Sequence, residues 1–288
     1  MRPVTIATTA FLLEDSPHTV EMNVARAVDY IESAKGSDIV CLPEMVATAN
    51  VPKELEYYAE EFPGKITRIF QAAARKQGIN LVAPYLVRIG KKLYNQATII
   101  DRKGKIVGSY RKLQPTAEEL RRVTPGDDLP VFDLDFGRVA VIICMDIYFP
   151  EIPRIYAFKG AEILFWPTVS HGPTQEALRT QATARALDNS LILVESNLAN
   201  HPPYAPYAGR FRPATARIID HNGDILAQTG RRHGVAMATV DLDEKRLTSH
   251  CVLIREPDEI REDLESITRL DLYAREYAKL SKSRKRKA

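Results

Sequence analysis

Apolar residues along the chain recur with two different periods. Val24, Val28 and Ile31 fall at i, i+4 and i+7, which is one face of a helix, and they follow a β-rich stretch from Val4 to Phe11. A second strand is predicted in DIVCLPE (38–44), then a helix over Ile66 to Lys76 and strands in LVAPYLVRI (81–89), LYNQATIID (93–101) and KIVGSYRKL (105–113). Lys103-Gly104 separates the last two, and that pair reads as a hairpin. The alternating segment from Leu129 to Phe136 predicts a half-exposed strand, whereas Val139 to Ile143 is a β-branched run suited to a fully buried one.

Downstream, Pro150-Glu151 opens a helix that Gly160 ends, because a proline in the first turn loses no hydrogen bond there. EILFWP (162–167) predicts a strand, Gln175 to Leu187 a helix and SLILVESN (190–197) a strand. A hairpin turns at His221-Asn222-Gly223, and VAMATVDL (235–242) closes the strand series. About ten strands with helices outside them are more than one open sheet ordinarily holds, so the pattern predicts a layered α/β or α+β fold. From Glu244 onward the strand rhythm stops and the chain becomes charged and helical, with Ile267, Leu270, Leu272, Tyr273 and Tyr277 forming a partial apolar stripe. The expected organisation is one domain over 1–250 and a C-terminal extension over 251–288.

Composition narrows the class. With 288 residues and 45% apolar content the chain can bury a large core. Its 40 basic residues exceed 37 acidic ones only because SKSRKRKA at the end carries five of the former; without that tail the body is 35 against 37. The charge therefore does not support a broad nucleic-acid surface, and the tail reads as a solvated run. The apolar start is too short for a membrane span and lacks the order of a secretory signal, which points to the cytoplasm. Cys41, Cys144 and Cys251 are too few and too scattered for a disulfide framework and form no CxxC pair.

Three segments place a reactive residue just past a buried-looking strand. In CLPE, Glu44 follows a strand and a proline, and ligands of open parallel sheets collect beyond the carboxyl ends of strands. A lone acid there is more often a loop charge. Lys112 ends the second hairpin strand in YRK, where a lysine is ordinarily solvated. Cys144 stands in VIICMD between the buried run and the Pro150 helix start; a sharp strand-to-helix turn lifts a nucleophile out of a sheet, and a helix N-terminus favours its thiolate. An inert buried thiol is the competing reading for Cys144 and the preferred one for Cys41.

Together these segments resemble the nitrilase superfamily of carbon-nitrogen hydrolases. CLPE matches the acid motif, YRK the lysine motif and CMDIYFPE the nucleophile motif, in the family's chain order. Later segments, including Trp166-Pro167, Ala184 to Asn189 and Asp220 to Gly223, follow its rhythm, so that the resemblance covers about residues 3 to 242. It implies a four-layer αββα sandwich with no metal or organic cofactor. It also implies that Glu44 is general base, Lys112 the charge beside the thiol, Cys144 the nucleophile and the Met145 N–H an oxyanion donor. Glu119, six residues before Pro125, takes the place of a second glutamate beside the lysine, with Glu118 as its rival in AEELRR. A homodimer or larger even oligomer is the implied assembly.

Departures from the pattern bear on substrate. Gln114 stands where many members have His, Met145 where Tyr or Trp is common, and Ala216 where Ser often precedes the turn. The expected reaction is hydrolysis of a small amide or N-carbamoyl amine through a thioester. Nitrile hydrolysis is the alternative within the class, and a non-catalytic binding protein on the same fold the alternative outside it. Asp146 after Cys-Met favours amides. Arg179, Arg210, Arg212, His171 and Tyr204 lie where the family shapes its pocket, although each residue type there is more often solvated.

Overall fold

Strand β1 (Pro3–Phe11) is the hinge of the architecture, because it borders strands of two different sheets. In the computed structural model the described residues are 1–12, 17–52, 55–169, 175–198, 215–230, 233–244 and 265–285. After β1 come α1 (Val20–Ser33), β2 (Ile39–Cys41), α2 (Leu55–Tyr58), β3 (Glu60–Glu61) and α3 (Lys65–Gln77). Then follow β4 (Asn80–Ile89), β5 (Lys92–Ile100), β6 (Ile106–Arg111), β7 (Phe132–Asp133), β8 (Arg138–Val141) and α4 (Glu151–Phe158). The rest of this unit is β9 (Ile163–Pro167), α5 (Gln175–Asn189), β10 (Ile192–Leu198), β11 (Arg217–Ile219), β12 (Ile225–Gln228) and β13 (Gly234–Asp241).

The first sheet runs β6-β5-β4-β2-β1-β13, and the second runs β7-β8-β9-β10-β11-β12. They meet where the last residues of β1, Ala10 and Phe11, pair with Asn197 and Leu198 of β10. Alternation along each strand builds the layers, since successive side chains point to opposite faces. Ile6, Ile39, Cys41, Val82, Ala97 and Ile99 of the first sheet share a core with Val139, Val141, Phe165 and Val194 of the second. The intervening Ala7, Val40, Leu81 and Ala83 face the other way and pack with Val24, Ala27 and Ile31 of α1 and Phe70 and Ala74 of α3. On the far side Ile152 and Tyr156 of α4 and Leu178, Ala182 and Ala186 of α5 cover the second sheet. The result is the expected αββα order.

Local chemistry explains the element boundaries. Thr19 caps α1 by accepting the Met22 N–H at 3.1 Å, and Gly78, with φ of 67°, ends α3 in the left-handed conformation that a side chain would strain. Two expectations change. The β5–β6 hairpin is present, but β4 and β5 form a second and longer one around Gly90, whose φ is 60°. The predicted strand from Leu129 to Phe136 shrinks to β7, because Leu134 and Gly137 exchange both backbone hydrogen bonds and turn the chain back at once.

The chain divides into two units, 1–244 and 245–288. In the second, α6 (Leu270–Lys285) carries Leu270, Tyr273 and Tyr277 at the spacing of one helix face, and its last turns take in the start of the basic tail. Among the described residues no helix is long and apolar enough to cross a membrane.

Candidate active site

Four strand ends converge on one edge of the sandwich. β1, β2 and β4 are parallel; β5 reverses and β6 reverses again, so β6 points the same way as β2. β8, β9 and β10 are parallel to one another and, through the β10 contact, to β1. Glu44 follows β2, Lys112 follows β6, Cys144 follows β8, and Thr168 and Val169 follow β9. Every one of these residues therefore leaves a carboxyl end on the same edge, two sites from each sheet, which is where open α/β sheets collect ligands.

Lys112 is the centre of the polar cluster and is almost wholly buried. Its Nζ donates to Glu44 Oε1 at 2.9 Å and to Glu119 Oε1 and Oε2 at 2.9 and 2.8 Å. Asn95, buried on the inter-sheet face of β5, donates through Nδ2 to the same two carboxylates, at 2.8 Å to Glu44 Oε1 and 3.2 Å to Glu119 Oε1. The backbone N–H of Val169 donates to Glu44 Oε2 at 2.8 Å, and that of Thr116 to Glu119 Oε2 at 2.7 Å. Burial by itself would discharge Lys112, but Glu44, the Cys144 sulfur and Glu119 outweigh it and hold the ammonium well above the usual lysine range. Burial likewise opposes ionisation of Glu119, yet Lys112 and the Thr116 N–H keep its carboxyl below the ordinary value. Glu118, one residue earlier, is exposed.

Cys144 stands at φ 46°, the left-handed region that costs a non-glycine residue about 1–3 kcal/mol. The neighbours that hold it there are visible. Trp166 donates its indole N–H to the Cys144 carbonyl at 3.0 Å. The buried carboxylate of Asp146 accepts the Ile143 N–H at 2.8 Å, the Gln114 N–H at 2.8 Å and the Tyr110 hydroxyl at 2.6 Å, tying the Cys144 turn to β6. Burial pushes Asp146 up to about 6 despite these donors. The Cys144 Sγ faces the Val169 carbonyl at 3.9 Å.

One expectation is not met. Cys144 opens a five-residue 3-10 turn (Cys144–Tyr148), and α4 begins only at Glu151, so no α-helix N-terminus adjoins the sulfur. Burial and the Glu44 charge push the thiol up to about 12, with Lys112 and the Thr168 hydroxyl pulling the other way. Lys112 balances one of its two carboxylates, so the cluster carries a net charge of −1. A thiolate formed by losing its proton to solvent would raise that to −2. Passing the proton to Glu44 leaves it unchanged, and such an internal transfer is the chemistry this arrangement favours.

The structure thus brings Glu44, Lys112, Glu119 and Cys144 together, with Met145 half-buried beside the sulfur. Cys41 is fully buried in the inter-sheet core and its thiol is raised by burial, in keeping with the inert reading. Arg179 forms an exposed pair with Glu176. Cys251, His171, Tyr204, Arg210 and Arg212 lie outside the described residues. Asn95, Thr168 and Val169 escaped the sequence reading. For Asn95 a signal existed, a polar amide in the middle of an apolar strand; Val169 acts through its backbone, which no side-chain pattern reveals. Among the described residues no group of three or more His, Cys, Asp or Glu side chains is arranged to hold a metal ion.

The chain is similar to known proteins. Residues 13–249 match the family described as carbon-nitrogen hydrolase. A 2-oxoglutaramate amidase of Bacillus subtilis (strain 168) is 31% identical over 250 residues, covering 84% of this chain and 92% of that protein. A human omega-amidase is 28% identical over 235 residues, covering 76% and 83%. Among solved structures, a double mutant of the amidase from Nesterenkonia sp. AN1 in complex with acrylamide superposes with a TM-score of 0.76 at 19% identity, covering 96% of this chain and 97% of that one. A carbon-nitrogen hydrolase from Helicobacter pylori G27 gives 0.76 at 22%, covering 95% and 97%. The family match spans most of the chain and the first relative spans nearly all of its own length, and so this chain belongs to the carbon-nitrogen hydrolase family.

Proposed function

We propose that this hydrolase acts on a small linear amide or N-carbamoyl amine, with Cys144 as nucleophile, Glu44 as general base and acid, Lys112 as oxyanion partner and Glu119 as the group that orients Lys112. The observation that carries the reading is the hydrogen-bonded Glu44–Lys112–Glu119 chain beside the Cys144 thiol. The amidase activities named for the relatives support the choice of amide over nitrile.

Hydrogen bonding selects the oxygen of Glu44 that moves the proton. Oε1 accepts from both Lys112 and Asn95, whereas Oε2 accepts from the Val169 N–H and, among the described residues, keeps one lone pair open. The Cys144 proton passes to Oε2 as sulfur attacks the carbonyl carbon; the C=O π pair moves onto oxygen, held by Lys112 and the Met145 N–H. Glu44 then protonates the departing nitrogen, the C–N bond breaks, and ammonia or amine leaves a thioester on Cys144. Water gives a proton to Glu44, its hydroxide attacks the thioester, and collapse returns the proton to sulfur and frees the acid. The cluster keeps its charge of −1 at each proton transfer.

The test is a screen of amides, N-carbamoyl compounds and matched nitriles for ammonia release. Cys144→Ala is the blank, and Cys41→Ala and Cys251→Ala are expected to retain activity. Amides turned over faster than their nitriles across several side chains would support the reading. The reverse order throughout would promote the nitrilase alternative, and no turnover of any class would promote a binding protein. The reading also places a homodimer or larger even oligomer in the cytoplasm, with 251–288 as an extension that contacts a partner copy, testable by sedimentation with and without that segment.

A further inference from the structure

Thr168 lies directly after β9, fully buried, and its backbone N–H is spent on the Ser196 carbonyl at 2.8 Å. Its hydroxyl makes no hydrogen bond among the described residues. A buried hydroxyl left unmatched costs about 1–3 kcal/mol, so a position that keeps one calls for an explanation. The neighbourhood supplies it. The next residue, Val169, binds Glu44 through its N–H and faces the Cys144 sulfur with its carbonyl. Thr168 belongs to the stretch 166–169 that touches Cys144 at its carbonyl through Trp166 and at its sulfur through Val169, and its hydroxyl pulls the ionisation of that thiol downward.

We propose that Thr168 is a thiolate donor, idle in the resting enzyme and engaged when Cys144 has lost its proton. In the resting state the Cys144 S–H donates to the Val169 carbonyl, and the Thr168 hydroxyl has no partner among the described residues. When that proton moves to Glu44, the sulfur becomes an acceptor whose one donor is the new Glu44 O–H, and rotation of the Thr168 hydroxyl about its C–O bond supplies a second without backbone movement. No bond is made or broken in this step. The thiolate is the species that attacks and the species that leaves at thioester collapse, so the same hydrogen bond serves both half-reactions. The assignment rests on Cys144 being the nucleophile.

The experiment is the pH dependence of iodoacetamide alkylation of the full chain, read by mass spectrometry at Cys144, for Thr168→Val and Thr168→Ser, with thermal melting of each. Valine keeps the shape and removes the donor; serine keeps the donor. The expected result is a Cys144 alkylation rate about ten-fold lower at neutral pH in Thr168→Val, with its pH midpoint moved upward, near wild-type behaviour in Thr168→Ser, and a valine melting temperature equal to or above wild type. Thr168→Val alkylated at the wild-type rate over the whole range overturns the proposal, as does equal slowing in Thr168→Ser. If Thr168→Val does not fold, Thr168→Ala against Thr168→Ser decides by the same criterion. Labelling of the wild type that bypasses Cys144 would instead sink the nucleophile assignment, and Thr168 with it.

Discussion

Glu44 Oε2 accepts the Val169 N–H at 2.8 Å while Oε1 is filled by Lys112 and Asn95. A glutamine at position 44 cannot reproduce this. Its amide nitrogen would meet a donor whichever way it turned, and no basic oxygen would remain for the thiol proton. Glu44→Gln is expected to lower turnover by at least about 10²-fold and to slow alkylation of Cys144 in parallel. Unchanged alkylation with lost turnover would show that Glu44 does not take the thiol proton.

Removing Lys112 separates charge balance from chemistry. Lys112→Ala leaves Glu44 and Glu119 buried without their counter-ion, and breaking such a pair costs about 3–5 kcal/mol. Without the ammonium both carboxyls hold protons more tightly when folded than when unfolded, so the variant loses stability as pH rises through and above the carboxylate range. Urea denaturation is expected to find a larger deficit against wild type at pH 8 than at pH 5, together with severe loss of activity. A deficit independent of pH would contradict the ion-pair account.

Glu119 and Glu118 are adjacent in sequence and opposite in setting. Glu119 meets Lys112 with both oxygens, and Glu118 is exposed. Glu119→Gln is expected to cost kcat about 10²-fold, whereas Glu118→Gln changes it little. Steady-state kinetics on the pair decide the matter, and equal mild effects would return Glu119 to the surface.

Asp146 gives stability an unusual slope. Its carboxyl rises to about 6 on folding, so the folded state holds the proton more tightly than the unfolded chain. Its ionisation therefore costs stability. The cost is absent below about pH 4, grows through pH 4–6 and is complete above, amounting to roughly 3 kcal/mol for a shift of about two units. Asp146→Asn removes this titration. The stability of wild type minus that of the variant is expected to fall between pH 4 and pH 7 in urea titrations, and a difference that rises instead would reverse the assignment.

How much of this was legible in the sequence follows physical lines. Periodicity found the strands and helices whose faces are buried, such as α1 and β8, and motif order found Glu44, Lys112, Cys144 and Glu119. What it missed depends on backbone geometry. The β4–β5 hairpin hides behind Gly90-Lys91 because both strands are apolar enough to read separately. The expected helix dipole at Cys144 failed because Cys144 to Tyr148 winds as a tight 3-10 turn before Pro150, a difference no side-chain pattern encodes. Thr168 and Val169 follow a tryptophan and a proline that look like the end of an ordinary buried strand.

The join between the sheets reaches beyond the edge where Ala10 and Phe11 meet Asn197 and Leu198. Glu44 and Lys112 ride on one sheet, Cys144 and Val169 on the other, so these groups are jaws whose gap is set by the thickness of the apolar filling between them. A swollen or thinned interior opens or closes those jaws before any strand unpairs. On the roles proposed for these residues, catalysis is a caliper of the core, and heat or pressure is expected to silence it while the sandwich still stands.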